Sequence, residues 1–181
     1  VLHSADKTKV DALVKTAKQL EVDGCRAICA NCGYFGNFQA DVAAEVDSPV
    51  YLSSIIQAPW ILTGLKKDQK LGILCAVSDT LTWALFESCG VTREQYERCV
   101  IYGLQNKPEF ARLISEVGDL NPVALCKDLV ERAQELVSEN ENIGAILLEC
   151  TDMPPFAHEV QRVTNLPVFD ATTLINYVHS G

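Results

Sequence analysis

The chain has 181 residues, 48% hydrophobic and 22% charged, with 10 Gly and 7 Pro, a composition that excludes disorder and collagen-like repeats. Fifteen Lys and Arg against 24 Asp and Glu give a net charge of −9, which repels phosphate backbones and anionic membranes, so no nucleic-acid or membrane partner is expected. Apolar runs reach about seven residues, far short of the roughly 20 that span a bilayer, and no basic, apolar leader opens the chain.

The eight cysteines are even in number, but in a chain this long and apolar they read as reduced thiols of a cytoplasmic compartment rather than a disulfide framework. Cys29, Cys75, Cys99 and Cys126 fall inside apolar periodic segments, where a thiol packs as a small hydrophobe. The only methionine is Met153, so Val1 is not an initiator and the original start is expected to have been removed.

Ser4 is placed to cap a first helix whose apolar positions Val10, Leu13, Val14, Ala17 and Leu20 recur at helical spacing. Cys25 to Ala30 reads as a strand, Asn31 to Gly36 as a turn, Asn37 to Val46 as a helix and Pro49 to Ser53 as a strand. Ile55 to Leu65 reads as a helix interrupted at Pro59, and the polar joint Lys66 to Lys70 marks a lobe boundary. Beyond it come a strand at Leu71 to Val77, a helix at Thr80 to Cys89, a strand at Cys99 to Gly103 and a short helix at Pro108 to Ile114. Asn121 and Pro122 open a longer helix, followed by a strand at Ile143 to Leu148, a helix at Pro154 to Val163, a strand at Pro167 to Phe169 and a last helix at Thr172 to Val178. Alternating helices and continuous apolar strands predict an α/β fold with parallel sheets flanked by helices. Residues 1–66 are expected to form a first lobe, with 171–181 packing back on it, and residues 67–170 a second.

Sliding the chain against itself by 118 residues aligns Cys32 with Cys150 without a gap. Ala27 and Ile28 then meet Ala145 and Ile146, Phe38 meets Phe156, and Val42 meets Val160. Pro49-Val50-Tyr51 meets Pro167-Val168-Phe169. Each copy is a strand, a cysteine at its carboxyl end, a helix, and a second strand opened by proline. Ligands of open α/β sheets bind outside the carboxyl ends of strands, so two pseudo-symmetric lobes would set both thiols across one cleft. A helix N-terminus behind each thiol is expected to draw it from about 8.5 toward 7. A thiolate on one face of a carbon acid and a thiol on the other suit two-base racemisation.

The segments Asn31-Cys32-Gly33-Tyr34, Ser53-Ser54-Ile55-Ile56-Gln57, Leu71-Gly72-Ile73-Leu74 and Ala145 to Pro155 resemble the aspartate/glutamate racemase superfamily, which includes hydantoin racemases. The resemblance covers nearly the whole chain and is most specific in the last of these stretches. It implies a cofactor-independent racemase or epimerase without pyridoxal phosphate or metal, with Cys32 and Cys150 as acid and base. It also implies that Thr151 holds a substrate carboxylate and that Asp152 assists the second cysteine. The substrate expected is a small molecule bearing a carboxylate or a hydantoin ring, and the assembly a homodimer. Relatives commonly follow the first cysteine with Asn-Thr, where this chain has Gly33-Tyr34. They also begin with a strand ahead of the first helix, so the first strand is expected to be missing here. A related maleate isomerase, an arylmalonate decarboxylase or an inactive binding relative are the alternatives.

Backbone N–H groups at Gly33, Tyr34, Thr151 and Asp152 are expected to bind the carboxylate, with Asn31, Ser54 and Ser78 as further contacts. Cys25, Cys29 and Cys32 have the C-x3-C-x2-C spacing of an iron-sulfur site, but a strand through Cys25 and Cys29 would hold them roughly 13 Å apart, too far for one cluster. Asp152 also suits a helix cap, Phe38 and Phe156 read as core, and His158 reads as a surface residue.

Overall fold

The computed structural model describes residues 7–30, 32–115 and 118–181. Ser4 lies outside them, and the first helix, α1, runs Lys7–Val22. Its apolar stripe packs with Phe38, Val42, Val50 and Leu52 into the smaller of two hydrophobic clusters. Strand β1 (Ile28–Cys29) pairs in parallel with β2 (Val50–Tyr51), and α2 (Gln39–Ala43) lies between them in sequence. Helix α3 (Ala58–Gly64) leads to β3 (Lys70–Cys75), followed by α4 (Trp83–Ser88), α5 (Arg93–Glu97), β4 (Cys99–Gly103) and α6 (Pro108–Ile114). Helix α7 (Pro122–Glu139), β5 (Ile143–Leu148), α8 (Ala157–Thr164), β6 (Val168–Phe169) and α9 (Ala171–Ser180) complete the chain. The second sheet is parallel and four-stranded, in the order β4-β3-β5-β6.

Strands β3 and β5 are buried along their length, apart from Lys70, because helices cover both faces of the sheet they centre. Leu71, Ile73, Leu74, Leu147 and Leu148 are fully enclosed in the larger core. That core also takes in Tyr34, Ile55, Ile61 and Leu62, so apolar packing runs continuously across position 66. Helix α9 is fixed from both directions: Gln57 donates to the carbonyl of Asp170 at 2.9 Å and accepts from the Thr173 hydroxyl at 3.1 Å. No helix among the described residues is long and apolar enough to cross a membrane.

Several local expectations change. Pro59 does not interrupt a helix; it sits in the first turn of α3, where the missing N–H has no partner to lose, and a 3₁₀ turn at Ser54–Gln57 precedes it. Strand β1 is only two residues long, so Cys25 falls in the preceding exposed turn and not in the strand. Helix α5 has no counterpart in the sequence reading: it is closed by a Thr92/Gln95 capping box and buries none of its own residues. Asn121 caps α7 as expected, accepting from the N–H groups of Val123 and Ala124.

The internal repeat is reproduced in register. Ile28 and Cys29 pair with Val50 and Tyr51, and Ile146 and Leu147 pair with Val168 and Phe169. The N–H of Ile28 donates to Pro49 O at 2.9 Å, as that of Ile146 does to Pro167 O at 2.9 Å. Phe38 (φ −111°, ψ 5°) and Phe156 (φ −109°, ψ 4°) share one backbone conformation, and each precedes its helix, α2 or α8. Val42 and Val160 are both buried on the inner faces of those helices.

One buried carboxylate ties α6 to α7: Asp128 Oδ2 accepts the N–H groups of Glu109 at 2.7 Å and Phe110 at 3.1 Å. Asp128→Ala leaves both donors enclosed and unpaired and should cost about 1–3 kcal/mol. A lowered urea midpoint at unchanged slope is the readout.

Candidate active site

The two cysteines stand at the carboxyl ends of equivalent strands. Cys32 is the extended N-cap (φ −165°, ψ 118°) of a 3₁₀ segment, Gly33–Phe38, and the N–H of Phe35 donates to its carbonyl at 3.0 Å. In the second copy the N–H of Met153 donates to the carbonyl of Cys150 at 3.1 Å. The sulfurs are matched as well: the N–H two residues ahead, of Tyr34 or of Asp152, faces the thiol and favours its ionised form. Both cysteines are half-buried against the same core.

Gly33 brings the two turns together. A Cβ built on it would lie 2.7 Å from the carbonyl oxygen of Glu149 and 2.0 Å from its Oε1, so the segments meet at a distance that only glycine allows. Ser54 secures the other side of the crossing, its buried hydroxyl donating to the carbonyl of Glu149 at 3.1 Å, with that of Leu148 at 3.4 Å. Ser54 thus supports the strand end with its hydroxyl. The Tyr34 side chain is buried, its hydroxyl donating to Val77 O at 2.9 Å and accepting from Val77 N–H at 2.8 Å, so what Tyr34 turns to the cysteine is its backbone N–H. Ser78 lies on the turn after β3, next to the Val77 that binds the Tyr34 hydroxyl, accepting from Gln105 at 2.9 Å and donating to Asp79 at 3.3 Å. Asn31 lies outside the described residues.

Asp152 is hydrogen-bonded to the second cysteine and does not cap the helix that follows. Its Oδ2 accepts from Cys150 Sγ at 3.5 Å, while the following 3₁₀ turn has no side-chain cap. Thr151 lines a cleft of about 500 Å³ with Cys29, Ala30, Pro154, Ala171 and Thr172. That cleft runs beside β1 and the start of α9, next to the Cys150 turn.

The expected lowering of the thiols is reversed. Burial pushes Cys32 up, more than the N–H of Tyr34 offsets, and the nearby Glu149 carboxyl adds to the rise. Burial likewise drives Cys150 far up, with Glu149 and Asp152 reinforcing it against the N–H of Asp152. The turns behind the cysteines are short 3₁₀ segments, so little helix dipole opposes desolvation.

No family model matches the chain. It is 32% identical over 171 residues to dimethylsulfoniopropionate lyase 7 of Emiliania huxleyi (strain CCMP1516), a match covering 90% of this chain and 49% of that protein. It is also 32% identical over 163 residues to dimethylsulfoniopropionate lyase of Durusdinium sp. clade D, covering 87% and 53%. The chain therefore spans about half the length of these relatives. Among solved structures, allantoin racemase from Klebsiella pneumoniae matches with a TM-score of 0.63 at 21% identity, over 94% of this chain and 64% of that one. Glutamate racemase from Aquifex pyrophilus matches with a TM-score of 0.59 at 17% identity, over 98% and 67%. The chain has the fold of the aspartate/glutamate/hydantoin racemase superfamily. Within that fold, the matched cysteine turns are the two carboxyl-end sites of the repeat.

Sequence reasoning missed Glu149 as a functional candidate. It is fully buried, neither side-chain oxygen has a hydrogen-bond partner among the described residues, and burial pushes its carboxyl up to about 8. The folded protein thus holds a proton there that the unfolded chain releases near 4.5. The stability this proton confers is complete below that value and is lost as pH rises toward 8, by up to ~1.4 kcal/mol per pH unit. Urea unfolding between pH 5 and 9 should show this decline, and Glu149→Gln should flatten it.

Proposed function

We propose that this chain forms the reaction centre of a cofactor-independent carbon-acid lyase, in which a cysteine thiolate removes a proton alpha to a carboxylate and a β-substituent leaves. The observation that carries the reading is the Gly33 and Glu149 contact, which brings the turns of Cys32 and Cys150 to one crossing at the carboxyl ends of matched strands. Similarity to the dimethylsulfoniopropionate lyases supports elimination as the outcome.

With dimethylsulfoniopropionate as substrate the step balances simply. The thiolate takes the proton from the carbon beside the carboxylate, and the C–H electron pair becomes the carbon–carbon double bond. The carbon–sulfur bond breaks with its pair on sulfur, giving dimethyl sulfide and acrylate, and the thiol returns its proton to solvent. The substrate carboxylate is assigned to the turns that follow the two cysteines. The high thiols of the empty site also fit a substrate that carries a sulfonium cation, because an opposite charge beside a buried thiol favours its thiolate.

Racemisation is the second reading, favoured by the repeat, which sets both cysteines in one backbone environment. The test is headspace measurement of dimethyl sulfide released by the full-length protein from dimethylsulfoniopropionate, beside a chiral assay on aspartate, glutamate and substituted hydantoins. Sulfide release should fall about 10²- to 10⁴-fold in Cys32→Ser or Cys150→Ser for whichever cysteine is the base. Racemisation without sulfide release would overturn the lyase reading in favour of the second.

A further inference from the structure

Elimination and racemisation both leave one enclosed group unused, the carboxyl of Glu149. It extends from the end of β5 toward the backbone between Cys32 and Tyr34, where its Oε1 occupies the space a Gly33 side chain would need. No water-exposed surface and no hydrogen-bond partner among the described residues accounts for a carboxyl here. An orphaned acid inside a packed core destabilises the fold, and such groups cluster where chemistry is done.

The titratable groups that feel its charge come from four segments of the chain. Cys32 and Tyr34 come from the 3₁₀ segment, Cys75 from β3, Cys89 from the end of α4 and Cys150 from the residue that follows, and a charge on Glu149 opposes ionisation of each. Asp152 acts in the same sense on Cys150 and Asp79 on Cys75, while Arg132 opposes them at Cys75.

We propose that Glu149 is a positioning residue that works as a charge gate: in its neutral form it admits one thiolate at Cys32 or Cys150, and in its ionised form it excludes both. Like charges in one low-dielectric enclosure titrate as a coupled set, in which the first ionisation holds back the next. Burial lifts the Glu149 carboxyl only to about 8, while the thiols and Tyr34 rise from ordinary values already above that, so without substrate Glu149 ionises before them and keeps the thiols protonated. The inference rests on Cys32 and Cys150 as the proton-transfer pair but not on which reaction follows.

The experiment compares the full-length wild-type protein with Glu149→Gln, which keeps the shape and loses the charge, and Glu149→Asp, which keeps an ionisable carboxyl. Alkylation of Cys32 and Cys150 by iodoacetamide is followed by peptide mass spectrometry from pH 6 to 10, without substrate, with Cys126 on α7 as the internal control. In Glu149→Gln the profiles of Cys32 and Cys150 should move down by about one pH unit, an alkylation about tenfold faster at pH 8.5, with Cys126 unchanged. Glu149→Asp should stay close to wild type. Coincident profiles in wild type and a folded Glu149→Gln would overturn the gate. Should Glu149→Gln not fold, infrared difference spectra of the wild type read the same group: a carboxylic-acid band of a dry environment should be present at pH 6.5 and lost through about pH 8, and its absence at pH 6.5 would overturn the proposal. A protein that releases no dimethyl sulfide but shows the shifted alkylation would refute the lyase reading and support the gate.

Discussion

Where Gly33 passes over Glu149, two chain segments approach more closely than any other residue at position 33 would permit. Each belongs to its own copy of the repeat, and each carries a cysteine beside the point of contact. The rest of the site follows from that crossing. Beside it, Ser54 sets its hydroxyl against the strand end at Glu149, and Tyr34, next in the chain after Gly33, turns its side chain inward onto Val77. A β-carbon at residue 33 would drive the copies apart and take the cysteines with them.

The same closeness explains the chemistry of the thiols. Packing around the crossing encloses Glu149 and half-buries Cys32 and Cys150, and desolvation outweighs the N–H groups aimed at the sulfurs. Burial of this kind favours the protonated thiols. Positive charge placed beside these thiols would favour their ionised forms.

Much of this was legible in the chain. Proline placed both second strands of the repeat, because it marks the point where the chain enters the ladder, and the shared Pro-Val-aromatic offsets carried the register across 118 residues. Pro108 and the Asn121-Pro122 pair marked the starts of α6 and α7, where proline suits the first helical turn. Helix α5 was hidden because Arg93–Glu97 is too short to show a period, with Tyr96 its one residue packed on the core, and Pro59 misled because a helix start and a helix break look alike without the preceding turn. Cys32 and Cys150 were legible as a pair, but their direction of shift was not, since a dipole is local to the sequence and burial is not. Glu149 was invisible for the same reason: a glutamate ending an apolar strand reads as a solvated tip until Gly33, over a hundred residues earlier, closes over it.

The repeat makes the cysteines equivalent in backbone, yet their supports differ. Cys150 follows a six-residue buried strand bonded on both sides, to β3 and to β6, whereas Cys32 follows a two-residue strand paired with β2. Segments with few ladder bonds open at lower free energy than strands in the middle of a sheet. The Cys32 turn is therefore the compliant member of the pair and the Cys150 turn the anvil. Local opening around the two cysteines therefore starts on the Cys32 side, which gives two matched turns unequal stiffness.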